Sequence, residues 1–195
     1  MSYRLDTRSF VWTLALVALG ACYRVAAPVF EFPVNTAPLM ALSFGGAMLL
    51  GWRFWWVPVA ALLASDLALG WLLPGSGIGG YTLMSALLYA GSAWLGGFVG
   101  SKKTSWPALW FGTLGCGVLF YLAANTYAWL LTPDYAKTLA GWWQSQTTGL
   151  PQFSPPAWFF LRNSLIADTL WCGIAALVHL AVRRPVGCFA PVKGA

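Results

Sequence analysis

The sequence predicts an all-α integral membrane protein, a compact bundle of six transmembrane helices with both termini in the cytoplasm. Three observations carry that prediction. Hydrophobic residues fill 59% of the 195 positions and charged residues only 8%, against about 25% charged in a soluble domain. Apolar runs recur at lengths near the roughly 20 helical residues that cross a hydrocarbon core. Basic residues cluster between alternate runs, as the positive-inside rule requires.

Taken in order, the runs are Phe10–Ala27, Pro38–Trp52, Phe54–Leu73, Tyr81–Val99, Trp106–Leu131 and Ala157–Val182. The second is short, and Arg53 beside it marks a tight hairpin at the membrane surface. Arg4 and Arg8 precede the first run, Lys102 and Lys103 follow the fourth, and Arg183 and Arg184 follow the sixth. With the N-terminus inside, all of these are cytoplasmic, and the outer loops hold Lys137, Glu31 and Asp134. The net charge of +6 thus reports topology, and no nucleic-acid partner is implied. The 13 tryptophans suit interfacial belts and helix packing. One membrane domain, residues 1–195, leaves no room for a soluble catalytic module.

The first run contains "LALVALGAC" (Leu14–Cys22), which is similar to a lipoprotein signal cleaved before the cysteine. The apolar run continues past Cys22, so it is read as a retained span. Cys22, Cys116, Cys172 and Cys188 form no C-x-x-C pair and read as apolar packing residues, not a disulfide framework. Small residues recur every fourth position in Ala18/Cys22/Ala26, Ala60/Ala64/Ala68 and Ser92/Gly96/Gly100. Each set makes a smooth helix face suited to close packing in the bundle or against another membrane subunit.

Two outer loops exceed what a bundle needs: Pro28–Ala37 and Thr132–Pro156, the latter with a short surface helix expected over Tyr135–Gln144. Long loops on one face mark binding loops or lids. Counting rise at 1.5 Å per residue, Asp66, Asn125 and the pair Arg162 and Asn163 all lie roughly 9–10 Å beneath that face. Three helices therefore bring polar groups to one level, either as a ligand site or as an internal Asp66–Arg162 pair. Asp168 lies deeper, about 18 Å in and some 120° away from Arg162. It is expected to bond a neighbouring helix.

Enzyme signatures are not formed. His179, the single histidine, is near the opposite face, so it cannot serve Ser76 of "PGSGIGG", which reads as a turn. No H-E-x-x-H, nucleophile elbow or Walker loop is present, and one histidine with scattered cysteines gives no metal-ligand spacing. No cofactor is implied.

"NTAPLMALSFGGA" (Asn35–Ala47), "SDLALGW" (Ser65–Trp71), "YAKTLAGWW" (Tyr135–Trp143) and "WFFLRNSLIAD" (Trp158–Asp168) resemble the motifs of a family of small, uncharacterised bacterial membrane proteins. The resemblance covers about residues 20–180. That family is similar, in size and six-span layout, to the S components of energy-coupling factor vitamin transporters. The resemblance implies location in the bacterial inner membrane and capture of a vitamin-like micronutrient at the outer face. It implies docking on a transmembrane subunit driven by ATPases. It further implies that Asn35, Asp66, Asn125, Arg162 and Asn163 line or support the site, with Tyr135 and Trp142 in its lid. The docking pattern Ala-x-x-x-Ala falls on the third run here, whereas the first offers Ala18-x-x-x-Cys22-x-x-x-Ala26. The alternative expectation is a structural or assembly protein that packs against another membrane subunit, with its polar layer filled by side chains and no cavity below the loops.

Overall fold

The computed structural model describes residues 7–73, 75, 77–102 and 104–183, with side chains described for all of these except 7–13 and 178–183. Arg4, Ser76, Lys103, Arg184 and Cys188 lie outside the described residues, as do the side chains of Arg8, His179 and Arg183. Among the described residues the chain is all helical: α1 (Thr7–Val29), α2 (Ala47–Leu50), α3 (Trp56–Leu72), α4 (Gly80–Lys102), α5 (Trp106–Leu131), α6 (Leu139–Gln146) and α7 (Ala157–Arg183). A π-helical stretch, Ala41–Gly46, leads into α2, and a 3-10 turn, Trp52–Phe54, leads out of it. Among the described residues, three helical segments are long and apolar enough to cross a membrane: Trp52–Leu72, Gly80–Lys102 and Trp106–Leu131. α1 and α7, at 23 and 27 residues, are as long.

Local chemistry sets the ends of these helices. Ser105 caps α5 by accepting from the Ala108 amide at 3.4 Å, with Pro107 in the first turn where its missing N–H costs nothing. Thr138 caps α6 in the same way through Gly141 N–H at 3.2 Å. That cap starts the surface helix at Leu139 instead of the expected Tyr135. Gly51 ends α2 at φ 97°, a backbone region that a side chain disfavours.

The second apolar run departs most from expectation. Pro38–Trp52 is not one continuous helix of spanning length. Its apolar helix is Ala41–Leu50, about 15 Å long and half a hydrocarbon core. The broken segment is nonetheless central. Leu39, Ala41, Ser43, Phe44, Ala47 and Met48 are all buried, and Met40, Phe44 and Met48 join Leu109, Cys116, Cys172 and Ala176 in the main core.

Its neighbours are flat where they meet it. A Cβ at Gly96 would collide with Phe44 O, one at Gly100 with Met48 O, and one at Gly112 with the Phe44 ring. In a bilayer, where lipid is as apolar as the core, such close approach is what holds helices together. The Ser92/Gly96/Gly100 face is thereby assigned to internal packing. The Ala18/Cys22/Ala26 face differs, since Ala18 and Cys22 are exposed. Cys22, Cys116 and Cys172 are free thiols.

The chain between α1 and the broken helix runs down into the bundle without helical structure. Glu31 and Asn35 adopt φ of 54° and 59°, a left-handed conformation uncommon outside glycine. Three donors from α7 fasten it: Asn163 Nδ2 to Val34 O at 3.1 Å, Ser164 Oγ to Asn35 O at 3.4 Å, and Trp171 Nε1 to Thr36 O at 3.0 Å. Tyr23 adds a bond from its hydroxyl to Thr36 Oγ1 at 3.0 Å. From Asn163 to Trp171 is about 12 Å of helix rise, so the loop is held along a length of α7. Irregular backbone at such depth is tolerated where it is packed in protein or lines a cavity.

Candidate functional site

The loop roofs a cavity of about 290 Å³ between α1, the broken helix, α3, α4, α5 and α7. Phe32, Val34, Asn35 and Thr36 lie at its roof, and Tyr81, Ser85 and Tyr89 of α4, Phe120 of α5 and Ser164 of α7 form its sides. Gly117 and Asp168 lie deepest. Asp168 is eleven residues into α7, about 17 Å of rise. Two charged residues line the cavity, Arg24 and Asp168.

Arg24 is not free. Its Nη1 donates to Asp66 Oδ1 and to Ser65 Oγ at 2.8 Å, with Leu62 O at 3.4 Å. The other Asp66 oxygen accepts from Thr82 Oγ1 at 2.6 Å, and Thr82 in turn accepts from Gly79 N–H at 3.1 Å. One network thus joins α1, α3 and α4 and satisfies both charges. That satisfaction is what makes a buried ion pair tolerable.

Asp168 has no such arrangement. It is 3% exposed, and no hydrogen bond or ion pair reaches it from any described residue. The expected bond to a neighbouring helix is not formed. Its carboxylate lies instead against bare backbone of α5, where a Cβ at Gly117 would come within 2.9 Å of Oδ2. Ser85, 1% exposed, has an Oγ with no partner among the described residues. Tyr81 and Tyr89 line the same space with hydroxyls that bond no described residue. The Tyr89 ring stacks on Phe120 with centroids 5.0 Å apart. Buried polar groups are almost always paired, and Ser85 Oγ and Asp168, buried and unbonded in one wall, make this cavity the candidate site.

The residues expected from sequence divide in three. Asn35 lines the cavity, at its mouth. Asp66 and Asn163 support it, the first through Arg24 and the second by tethering the loop. Asn125, Tyr135, Trp142 and Arg162 are elsewhere. Asn125 donates to Tyr121 O of its own helix at 2.9 Å. Trp142 Nε1 donates to Thr126 Oγ1 at 2.9 Å, which seats α6 on the end of α5. Tyr135 is buried within the second loop itself, and that burial pushes its phenol above the ordinary range.

The expected Asp66–Arg162 pair is not formed. Positions 164, 168 and 171 share the inward face of α7, at i, i+4 and i+7. Arg162 falls off that face and lies exposed over the rings of Phe159 and Trp158, 4.4 and 5.7 Å from their centroids, donating to Asn163 Oδ1 at 3.1 Å. Asp66 takes Arg24 instead. Arg24 escapes a reading of the sequence because it sits inside an apolar run, yet it is five residues before Val29, the end of α1. That is about 7.5 Å deep by rise, close to the level that singles out Asp66. Ser85, Tyr81 and Tyr89 give no sequence signal beyond ordinary span composition.

No group of three or more His, Cys, Asp or Glu side chains poised for a metal occurs among the described residues. No curated protein and no solved structure matches the chain. A family model matches residues 5–188, nearly the whole length, and the chain therefore belongs to a family of unknown function, DUF6580.

Proposed function

We propose that this is a substrate-capturing membrane transport protein of S-component type. In this reading the chain crosses the bacterial inner membrane six times, the broken second segment included, with both termini cytoplasmic. It takes a vitamin-like solute from the outer face and performs no chemistry of its own. Reorientation would come from an energy-coupling transmembrane subunit with its ATPases, or from the chain acting alone. The observation that carries the reading is the cavity of about 290 Å³ under the Pro28–Ala37 loop, with Ser85 Oγ buried and unpartnered in its wall and the buried Asp168 carboxyl beside it. Discontinuous helices that leave a polar cavity at depth are a recurring way to build a transport site. An engineered cavity of about 150 Å³ admits benzene, so this one suits a solute of roughly a dozen non-hydrogen atoms.

The test is small-molecule mass spectrometry on the full chain purified in mild detergent, beside a Ser85→Phe variant that fills the cavity. The expected result is a solute that accompanies the wild type and is lost from the folded variant. The same solutes on both, or none on repeated wild-type preparations, would remove the reading.

One observation favours a second reading. The exposed Ala18/Cys22 face of α1 is smooth enough to seat another membrane helix, as an assembly protein requires. It predicts cross-linking from Cys22 to a partner and no solute in the cavity.

A further inference from the structure

We propose that the cavity selects a small, ring-bearing organic cation, bound with its positive group at Asp168 and its ring among Tyr81, Tyr89 and Phe120. This rests on the reading of the cavity as a solute site and adds the chemical class of the solute.

The charge balance of the wall carries the inference. Among the described residues, only Arg24 and Asp168 bring charge to the lining. The Arg24 charge is already matched by Asp66, whose second oxygen is held by Thr82. Asp168 has no counter-charge among the described residues, so whenever its carboxyl is ionised the lining carries one negative charge in excess.

An anionic solute would face that carboxylate and compete with Asp66 for the guanidinium. A neutral solute offers the carboxyl no counter-charge, so the carboxyl stays protonated beside it and the ionised form gains nothing. A cation removes the excess. The remaining lining suits its body, since aromatic faces attract cations electrostatically and Tyr89 and Phe120 already stack as one surface. Ser85 Oγ and the two phenol hydroxyls stand ready to bond polar atoms on the ring. Gly117 lets the carboxylate sit back against α5, which leaves room in front of it for a ligand group.

The experiment uses a charge series of nearly one shape on the full chain in mild detergent: radiolabelled tryptamine (cationic), tryptophol (neutral) and indole-3-acetate (anionic), by equilibrium dialysis at about pH 7.5. Each has about a dozen non-hydrogen atoms, matching the cavity by the benzene comparison. Tryptamine is expected to bind at least tenfold more tightly than either analogue. Asp168→Asn is expected to erase that preference, with tryptamine binding falling to within about twofold of tryptophol binding on the same variant. Equal binding of all three, or preference for indole-3-acetate, overturns the cation class and leaves the solute-site reading standing. Absence of binding by all three at millimolar concentration also overturns it, and the co-purification test then decides the wider reading separately. If Asp168→Asn does not assemble, the series on the unaltered protein still decides.

Discussion

Replacing Arg24 by Met tests whether the Arg24–Asp66 pair holds three helices together. The substitution removes the bonds from Nη1 to Asp66, Ser65 and Leu62 O, and leaves Asp66, 5% exposed, with Thr82 alone. Orphaning one member of a buried pair costs about 3–5 kcal/mol. The Arg24 side chain is 25% exposed, which places the loss near the lower end, about 3 kcal/mol. At this chain length that is a drop of roughly 6–12 °C in the unfolding midpoint. The companion Asp66→Leu should lose a similar amount. The double variant, Arg24→Met with Asp66→Leu, should return to within about 1 kcal/mol of wild type, because no uncompensated charge remains. Thermal unfolding of each detergent-solubilised variant, followed by the fraction that stays monodisperse on gel filtration, gives the cycle. A double variant as unstable as the two singles summed would show that the side chains act independently, and the pairing would be wrong.

Two further outcomes follow from the packing. Gly96→Ala should destabilise by about 1–3 kcal/mol or more as overpacking, because its Cβ would meet backbone at Phe44 O, whereas Gly91→Ala on the same helix has open space and should be neutral or gain up to about 1 kcal/mol. Equal midpoints for the two would refute the close approach of α4 to the broken helix. Asn163→Ala with Trp171→Phe should free the loop from two of its α7 tethers and speed amide exchange across residues 28–37 roughly tenfold, at about 0.7 kcal/mol for each of the two lost bonds; unchanged exchange would mean the loop is held by its own turns.

Hydropathy and length make the long helices legible. Trp106–Leu131 forms one helix over the range the apolar run gives, because a span is an intact run closed by a capping serine and a proline. The second run misleads for a physical reason. Its residues are apolar because they are buried in protein, and burial against glycine faces reads the same as burial in lipid. Depth counting finds Asp66, since rise along a helix needs only residue numbers. It does not tell that Arg162 and Asn125 point elsewhere, because rotation about the helix depends on which neighbours lie where. Arg24 is open to the same count but hides inside an apolar run. The isolation of Asp168 is not legible at all, for it depends on what other helices fail to bring near it.

The brevity of the broken helix bears on how the protein is built during membrane insertion. Ala41–Leu50, about 15 Å long, follows a stretch of backbone in which three successive carbonyls, of Val34, Asn35 and Thr36, are bonded by α7 side chains. Alone in lipid, each such unbonded group costs several kcal/mol. The segment therefore has no stable place in the bilayer until α4 and α5 offer their glycine grooves and α7, the last of these helices made, supplies its donors. An early part of the chain must wait for a late one. Truncated chains released before α7 emerges would hold an unfinished segment, exposed to the quality-control proteases that clear unassembled membrane proteins.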